Sequence, residues 1–109
     1  MAITYKRLGA TLSSGVIATP DTTYTTTTGV IVSTIAICNQ ASSAATYRIN
    51  VSTTTSFAAN GYLAYNATVA ANETVFLTCG FTMDSVNKYL LTSASAATVN
   101  FQVFGSEVS

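Results

Sequence analysis

Along most of the chain apolar and polar residues alternate one for one. That is the period of a strand with one buried face, not the 3.6-residue period of a helix. In Thr46-Tyr47-Arg48-Ile49-Asn50-Val51 the apolar Tyr47, Ile49 and Val51 share one face and the polar residues take the other. Val99-Asn100-Phe101-Gln102-Val103 repeats the pattern, and further back Val75, Leu77 and Cys79 oppose Thr74, Phe76 and Thr78. The stretch GVIVSTIAIC differs. Residues 30–38 are apolar on both faces, which predicts a central strand covered on both sides. Before it, TYTTTTG predicts a polar-faced strand over 24–28 near a sheet edge, with Gly29 as the bend between the two. The β-branched residues of 22–28, next to so strong a strand, predict an extended and paired segment.

Further strands are predicted over 4–12, 62–65 and 88–93. Turn chemistry separates the runs: Ser13-Ser14-Gly15, Thr19-Pro20-Asp21, residues 39–43, Asn60-Gly61 and Ala71-Asn72. Asn60-Gly61 predicts left-handed backbone in a hairpin or tight loop. About seven or eight short strands broken by turns predict an all-β chain, a single antiparallel β-sandwich of jelly-roll or immunoglobulin-like type. One domain over 1–109 suits the length.

Composition narrows what such a domain does. Charged residues make up 7% of the chain, against about 25% in ordinary soluble proteins. Lys6, Arg7, Arg48 and Lys88 balance Asp21, Glu73, Asp84 and Glu107. Four scattered cations cannot neutralise a row of phosphates, so nucleic acid is not an expected partner. Nor is a membrane. The longest apolar run, over 29–38, is broken by Ser33 and Thr34 and falls well short of the ~20 residues of a spanning helix. Lys6 and Arg7 are followed by no apolar core of the kind a secretory signal has, so a cytoplasm-like compartment is expected.

Candidate chemistry is sparse. Histidine is absent, and the four carboxylates fall in separate loops and strand ends, so no base is placed beside a nucleophile. No glycine-rich phosphate loop or G-x-S-x-G elbow occurs. The expectation is a protein that is not an enzyme, with no catalytic, cofactor-binding or metal-binding residue. Cys38 and Cys79 lack the spacing of a metal site and lie near strand ends. A disulfide between neighbouring strands is geometrically allowed, and buried free thiols are the favoured reading. The triplets at Asn50, Asn66 and Asn72 are expected by chance in a chain rich in Asn, Ser and Thr.

Two segments are candidate contacts. Phe57, Asn60, Tyr62 and Tyr65 gather aromatics around a turn, as in a carbohydrate or protein contact surface. The alternative is that Tyr62 and Tyr65 pack on the sandwich while Phe57 caps its end. Residues 1–7, with Tyr5, Lys6 and Arg7, form either an arm that reaches a neighbouring subunit or an ordinary first strand with a solvated basic pair. The remaining surface must be Thr, Ser, Asn, Gln and Ala. Such a surface packs against protein without stranding an ion, and sheet edges without Lys are poorly protected from pairing. Assembly with other protein is therefore the expected role.

Three blocks carry a family resemblance: MAITYKRLGATL, TTGVIVSTIAICNQ with the following TYRINVS, and ATVNFQVFGSEVS. Together they resemble small virion structural proteins of tailed phages, those of marine cyanophages above all. In that group a Val- and Ile-rich strand ends in Asn, here Cys38-Asn39. An alternating strand then precedes Gly-x-Glu-x-Ser/Thr, here Gly105-Ser106-Glu107-Val108-Ser109. The resemblance covers most of the chain through structural motifs, and no catalytic residue comes with it. It implies a virion component assembled in the host cytoplasm. The implied role is a capsid decoration (cement) protein that self-associates, a trimer being one arrangement it allows, and binds the major capsid protein to stabilise the head shell. The alternative it implies is a tail, neck or fibre component that binds another virion protein or a host surface glycan.

Overall fold

The computed structural model describes residues 3–108. Eight strands and no helix occur among them: β1 (Ile3–Leu12), β2 (Asp21–Thr25), β3 (Val30–Asn39), β4 (Ala45–Ser52), β5 (Tyr62–Val69), β6 (Thr74–Met83), β7 (Tyr89–Ala94) and β8 (Val99–Val108). They form two antiparallel four-stranded sheets, ordered β1-β8-β3-β6 and β2-β7-β4-β5. Strands therefore pair as β1 with β8, β2 with β7, β3 with β6 and β4 with β5. This is the wrapping of a double Greek key, and it selects the jelly roll over the immunoglobulin-like order. The expected β-sandwich is the observed fold.

The alternating positions build the core between the sheets. Val32, Ile35 and Ile37 of β3 and Val99, Phe101 and Val103 of β8 are fully buried against Tyr47 and Ile49 of β4 and Leu90 of β7. Tyr47 and Phe101 meet edge to face across the sheets, with centroids 6.3 Å apart, a favoured geometry for aromatic pairs. At one end Tyr24 of β2 donates a hydrogen bond to Glu107 of β8, and Lys6 of β1 pairs with the other carboxylate oxygen at 2.9 Å. This chain of three polar groups ties β2 to the opposite sheet. Among the described residues no buried side-chain nitrogen or oxygen lacks a partner.

Several strand limits differ from the sequence expectation, each for a local reason. The expected 24–28 strand is β2 at Asp21–Thr25, an edge strand as anticipated. Thr26 then turns the chain, its hydroxyl accepting from the Gly29 N–H at 3.1 Å, with Gly29 at φ 145°. β5 runs on to Val69 through a left-handed Asn66 (φ 51°), and β6 runs through Gly80 to Met83. Gly61 is not left-handed, and neither is Asn60. Glycine is needed at 61 because a Cβ would lie 2.1 Å from the Val51 carbonyl oxygen, so close approach of backbone, not turn handedness, selects it.

The two cysteines are free and half-buried. Cys79 faces the inter-sheet space, packed against the core cluster. Cys38 lies on the outer face of its sheet, between Asn100 and Thr74. Opposite faces forbid the disulfide that strand proximity alone would permit, and neither thiol is as buried as expected.

Candidate assembly surface

The two sheets differ in what covers their outer faces. Over β7 and β4 of the second sheet the chain supplies its own cover, whereas Leu63 and Tyr65 of β5 stay exposed. The loop at 13–20 lies across β7, where Ser93 Oγ donates to the Ile17 carbonyl at 2.7 Å. The loop at 53–61 is pinned by Asn50, whose amide donates to the Ala58 carbonyl at 2.8 Å and whose Oδ1 accepts from the Ala58 N–H at 3.0 Å. Leu91 and Ser93 are fully buried as a result, although they point away from the core.

Among the described residues no loop is folded back over β1-β8-β3-β6. Tyr5, Leu12, Ile31 and Phe76 stand on this face with 62%, 58%, 50% and 66% of their surface exposed. They are four of the eight exposed large hydrophobic side chains among the described residues. This corrects the expectation for residues 30–38. β3 is central, as predicted, and its inner side is covered, but its outer side is covered only in part: Ala36 is buried by its neighbours while Ile31 is half exposed. Ile31 is therefore an apolar residue that the fold of one chain does not bury.

Cross-strand register lays the face out in rows. From β1 to β6 these read Tyr5–Ser106–Ile31–Thr82, Arg7–Phe104–Thr34–Thr78, Ala10–Gln102–Ala36–Phe76 and Leu12–Asn100–Cys38–Thr74. Among the described residues of the face, Arg7 is the one ionised side chain. The hydroxyls are organised locally. Tyr5 Oη and Ser33 Oγ lie 2.9 Å apart, and Ser33 Oγ donates to the Phe104 carbonyl at 3.2 Å. β6 closes the sheet with a free edge that holds no charged residue, the kind of edge that invites a pairing partner.

The sequence candidates separate into two places. Tyr5 and Arg7 belong to the bare face, while Lys6 points between the sheets to Glu107. Residues 3–7 are the first half of β1, paired to β8; Met1 and Ala2 lie outside the described residues. Phe57, Tyr62 and Tyr65 do come together. Phe57 and Tyr62 centroids are 5.4 Å apart, and Tyr62 meets Tyr65 edge-on at 4.8 Å. The Arg48 guanidinium lies 4.4 Å from the Tyr65 ring centre and donates to Asn66 Oδ1 at 2.8 Å. Asn60 joins Tyr62, Leu63, Phe81 and Asn87 around a neighbouring cleft of about 320 Å³ with no ionisable side chain other than the Tyr62 phenol. Ile31, Phe76, Phe104 and Leu12 were not singled out from sequence. The available signal was Phe76, set among threonines on the face opposite Leu77, together with the two-sided apolar pattern of β3.

Electrostatically the molecule is quiet. Burial, then the Glu107 hydrogen bond, pushes the Tyr24 phenol up to about 12. The same bond first, then Lys6, holds Glu107 below the ordinary carboxylate value. Burial raises the Cys79 thiol, which makes it a poor nucleophile. Among the described residues no group of three His, Cys, Asp or Glu side chains gathers as a metal site would require.

No protein-family model matches the chain, and no curated protein is significantly similar to it.

Proposed function

We propose that this protein is a non-enzymatic structural component of a virion, acting by contact with other protein. The observation that carries the reading is the bare, nearly ion-free outer face of β1-β8-β3-β6. Exposed apolar patches of this extent are what interaction sites leave when the partner is removed. Hydroxyl and amide groups cost little to desolvate beside them. The jelly-roll fold is compatible with this role, since it recurs in viral capsid proteins, although a fold alone never assigns a function. The resemblance of the terminal and central blocks to phage virion proteins directs the reading to a capsid decoration protein that stabilises the head shell by binding the major capsid protein.

The test is co-sedimentation of the purified chain with phage heads that lack it. Binding is expected, and Phe76→Lys is expected to weaken it about tenfold or more by setting a charge in a dry contact. A chain that never sediments with heads, or a Phe76→Lys variant that binds as well as the wild type, contradicts the reading.

A second reading is supported by the Phe57–Tyr62–Tyr65 cluster beside the cleft. Aromatic rings flanked by the Asn60 and Asn87 amides suit a neutral glycan, as a tail or fibre component on a host surface would need. Binding of the isolated chain to host envelope, abolished by Tyr62→Ala and untouched by Phe76→Lys, would favour it over the first.

A further inference from the structure

We infer that the outer face of β1-β8-β3-β6 is an isologous interface, on which a second copy of this chain sits with a two-fold axis along the strands. The inference rests on the assembly reading and names a second copy as the occupant of this face, the dimer being the form that binds the head shell, so that Phe76→Lys weakens head binding by dissolving the dimer.

Area is the first support. Four strands of ten residues cover roughly 30 by 20 Å, or about 600 Å² in projection, at ordinary strand spacing. The accessible surface of a corrugated face exceeds its projection, so the patch approaches the ~800 Å² per partner of a stable interface.

Self-complementarity is the second. A two-fold axis in the plane of contact and along the strands lays β1 of one copy over β6 of the other, and β8 over β3, row upon row. Phe76 then falls over Ala10 of the second copy, Phe104 over Thr34, and Ile31 over Ser106, from the register of the sheet. Large side chains meet small ones in each case. The alternative axis, across the strands, sets the large Tyr5 over the large Leu12 at both ends of the contact.

Charge is the third. The same axis sends the two Arg7 side chains to opposite edges, more than about a Debye length apart, so they do not repel across the contact. Each lands beside Thr78 and Gly80 of the other copy. A Cβ at Gly80 would meet nothing within 4 Å, so the long Arg7 side chain finds an open notch there. Sheets of two sandwiches stacked in this manner take the aligned packing common between β-sheets.

The experiment is sedimentation velocity of the purified chain across micromolar concentrations, with a size-swap pair of variants. The wild type is expected to form dimers of twice 11.3 kDa. Ala10→Phe, which sets two phenyl rings against each other, is expected to weaken dimerisation about tenfold or more. Ala10→Phe combined with Phe76→Ala is expected to restore it, because the rings then exchange sides. Circular dichroism of each variant checks that the sheet signal is retained, and the double variant guards against loss through misfolding. A wild type that stays monomeric overturns the pairing, as does a trimer, because an isologous face closes at two copies. A double variant no better than the single one overturns the axis. A monomer that still sediments with phage heads and loses that binding with Phe76→Lys would leave the assembly reading standing while the pairing falls.

Discussion

At the scale of single residues the most consequential contact is the Lys6–Glu107–Tyr24 chain, because it crosses between the sheets where β2 is short. Its pH dependence follows from the two shifts. The Tyr24 phenol rises from 10.0 to about 12, so its contribution is complete below pH 10 and is lost as pH climbs from there through 12. Glu107 is lowered from 4.5, so its contribution is present above that value and is lost as pH falls through the lowered one. Thermal unfolding followed against pH should therefore show a plateau between about 5 and 10. Tyr24→Phe removes the donor to the carboxylate. It should lower the plateau by about 1–2 kcal/mol, the worth of a hydrogen bond to a partly solvated charge. It should also move the acid limb to higher pH, because Glu107 loses its strongest stabiliser. The alkaline limb should shrink without vanishing, since burial raises Tyr47 as well. An unchanged acid limb would show that the bond contributes nothing.

At the scale of elements, side-chain amides do the work that strands cannot. Buried Asn39 at the end of β3 donates to the Ser43 and Ala70 carbonyls and accepts from the Ala41 N–H, so one side chain joins the ends of β3 and β5. Asn50 pins the 53–61 loop onto the outer face of β4 by two bonds to Ala58. Asn50→Ala leaves the half-buried Ala58 N–H without its partner, while the Ala58 carbonyl keeps the Gly61 N–H, and should cost about 2 kcal/mol. For a domain of this size that lowers Tm by roughly 10 °C. The same change should loosen the Phe57–Tyr62 contact, visible as faster amide exchange in residues 53–61. These uses of Asn were not legible in the sequence, where Asn39 and Asn50 read as turn and outer-face residues. The strands themselves were legible, because alternation directly reports a half-buried sheet. Their limits were less so. Asn66 and Gly80 look like stops, yet β5 absorbs a left-handed residue as a bulge and β6 carries its glycine at an open edge.

At the scale of the whole molecule the two sheets meet solvent differently, and no single residue announces that difference. One sheet is roofed over β7 and β4 by the 13–20 and 53–61 loops, while the other presents Tyr5, Ile31, Phe76 and Leu12 beside a single cation among the described residues. Burial on the roofed side depends on where two long loops fold, which local pattern cannot specify. The bare side was signalled by the two-sided apolar character of β3, read as a strand covered on both faces. That reading fails at Ile31, which is half exposed on the outer side. Aromatic candidates near the turn were brought together as their spacing suggested, whereas Tyr5, Lys6 and Arg7 were divided by strand alternation between the bare face and the inter-sheet pin.

Cys38 lies within the bare face, between Asn100 and Thr74, and makes the most direct measurement possible. Its alkylation rate by a maleimide reports whether that face is open, with the inward, less reactive Cys79 as an internal reference. If protein occupies the face in the assembled state, Cys38 should react about tenfold or more slowly there than in the dispersed Phe76→Lys chain. Equal rates in the two states would mean that the outer face of β1-β8-β3-β6 stays open to water, and would contradict the account.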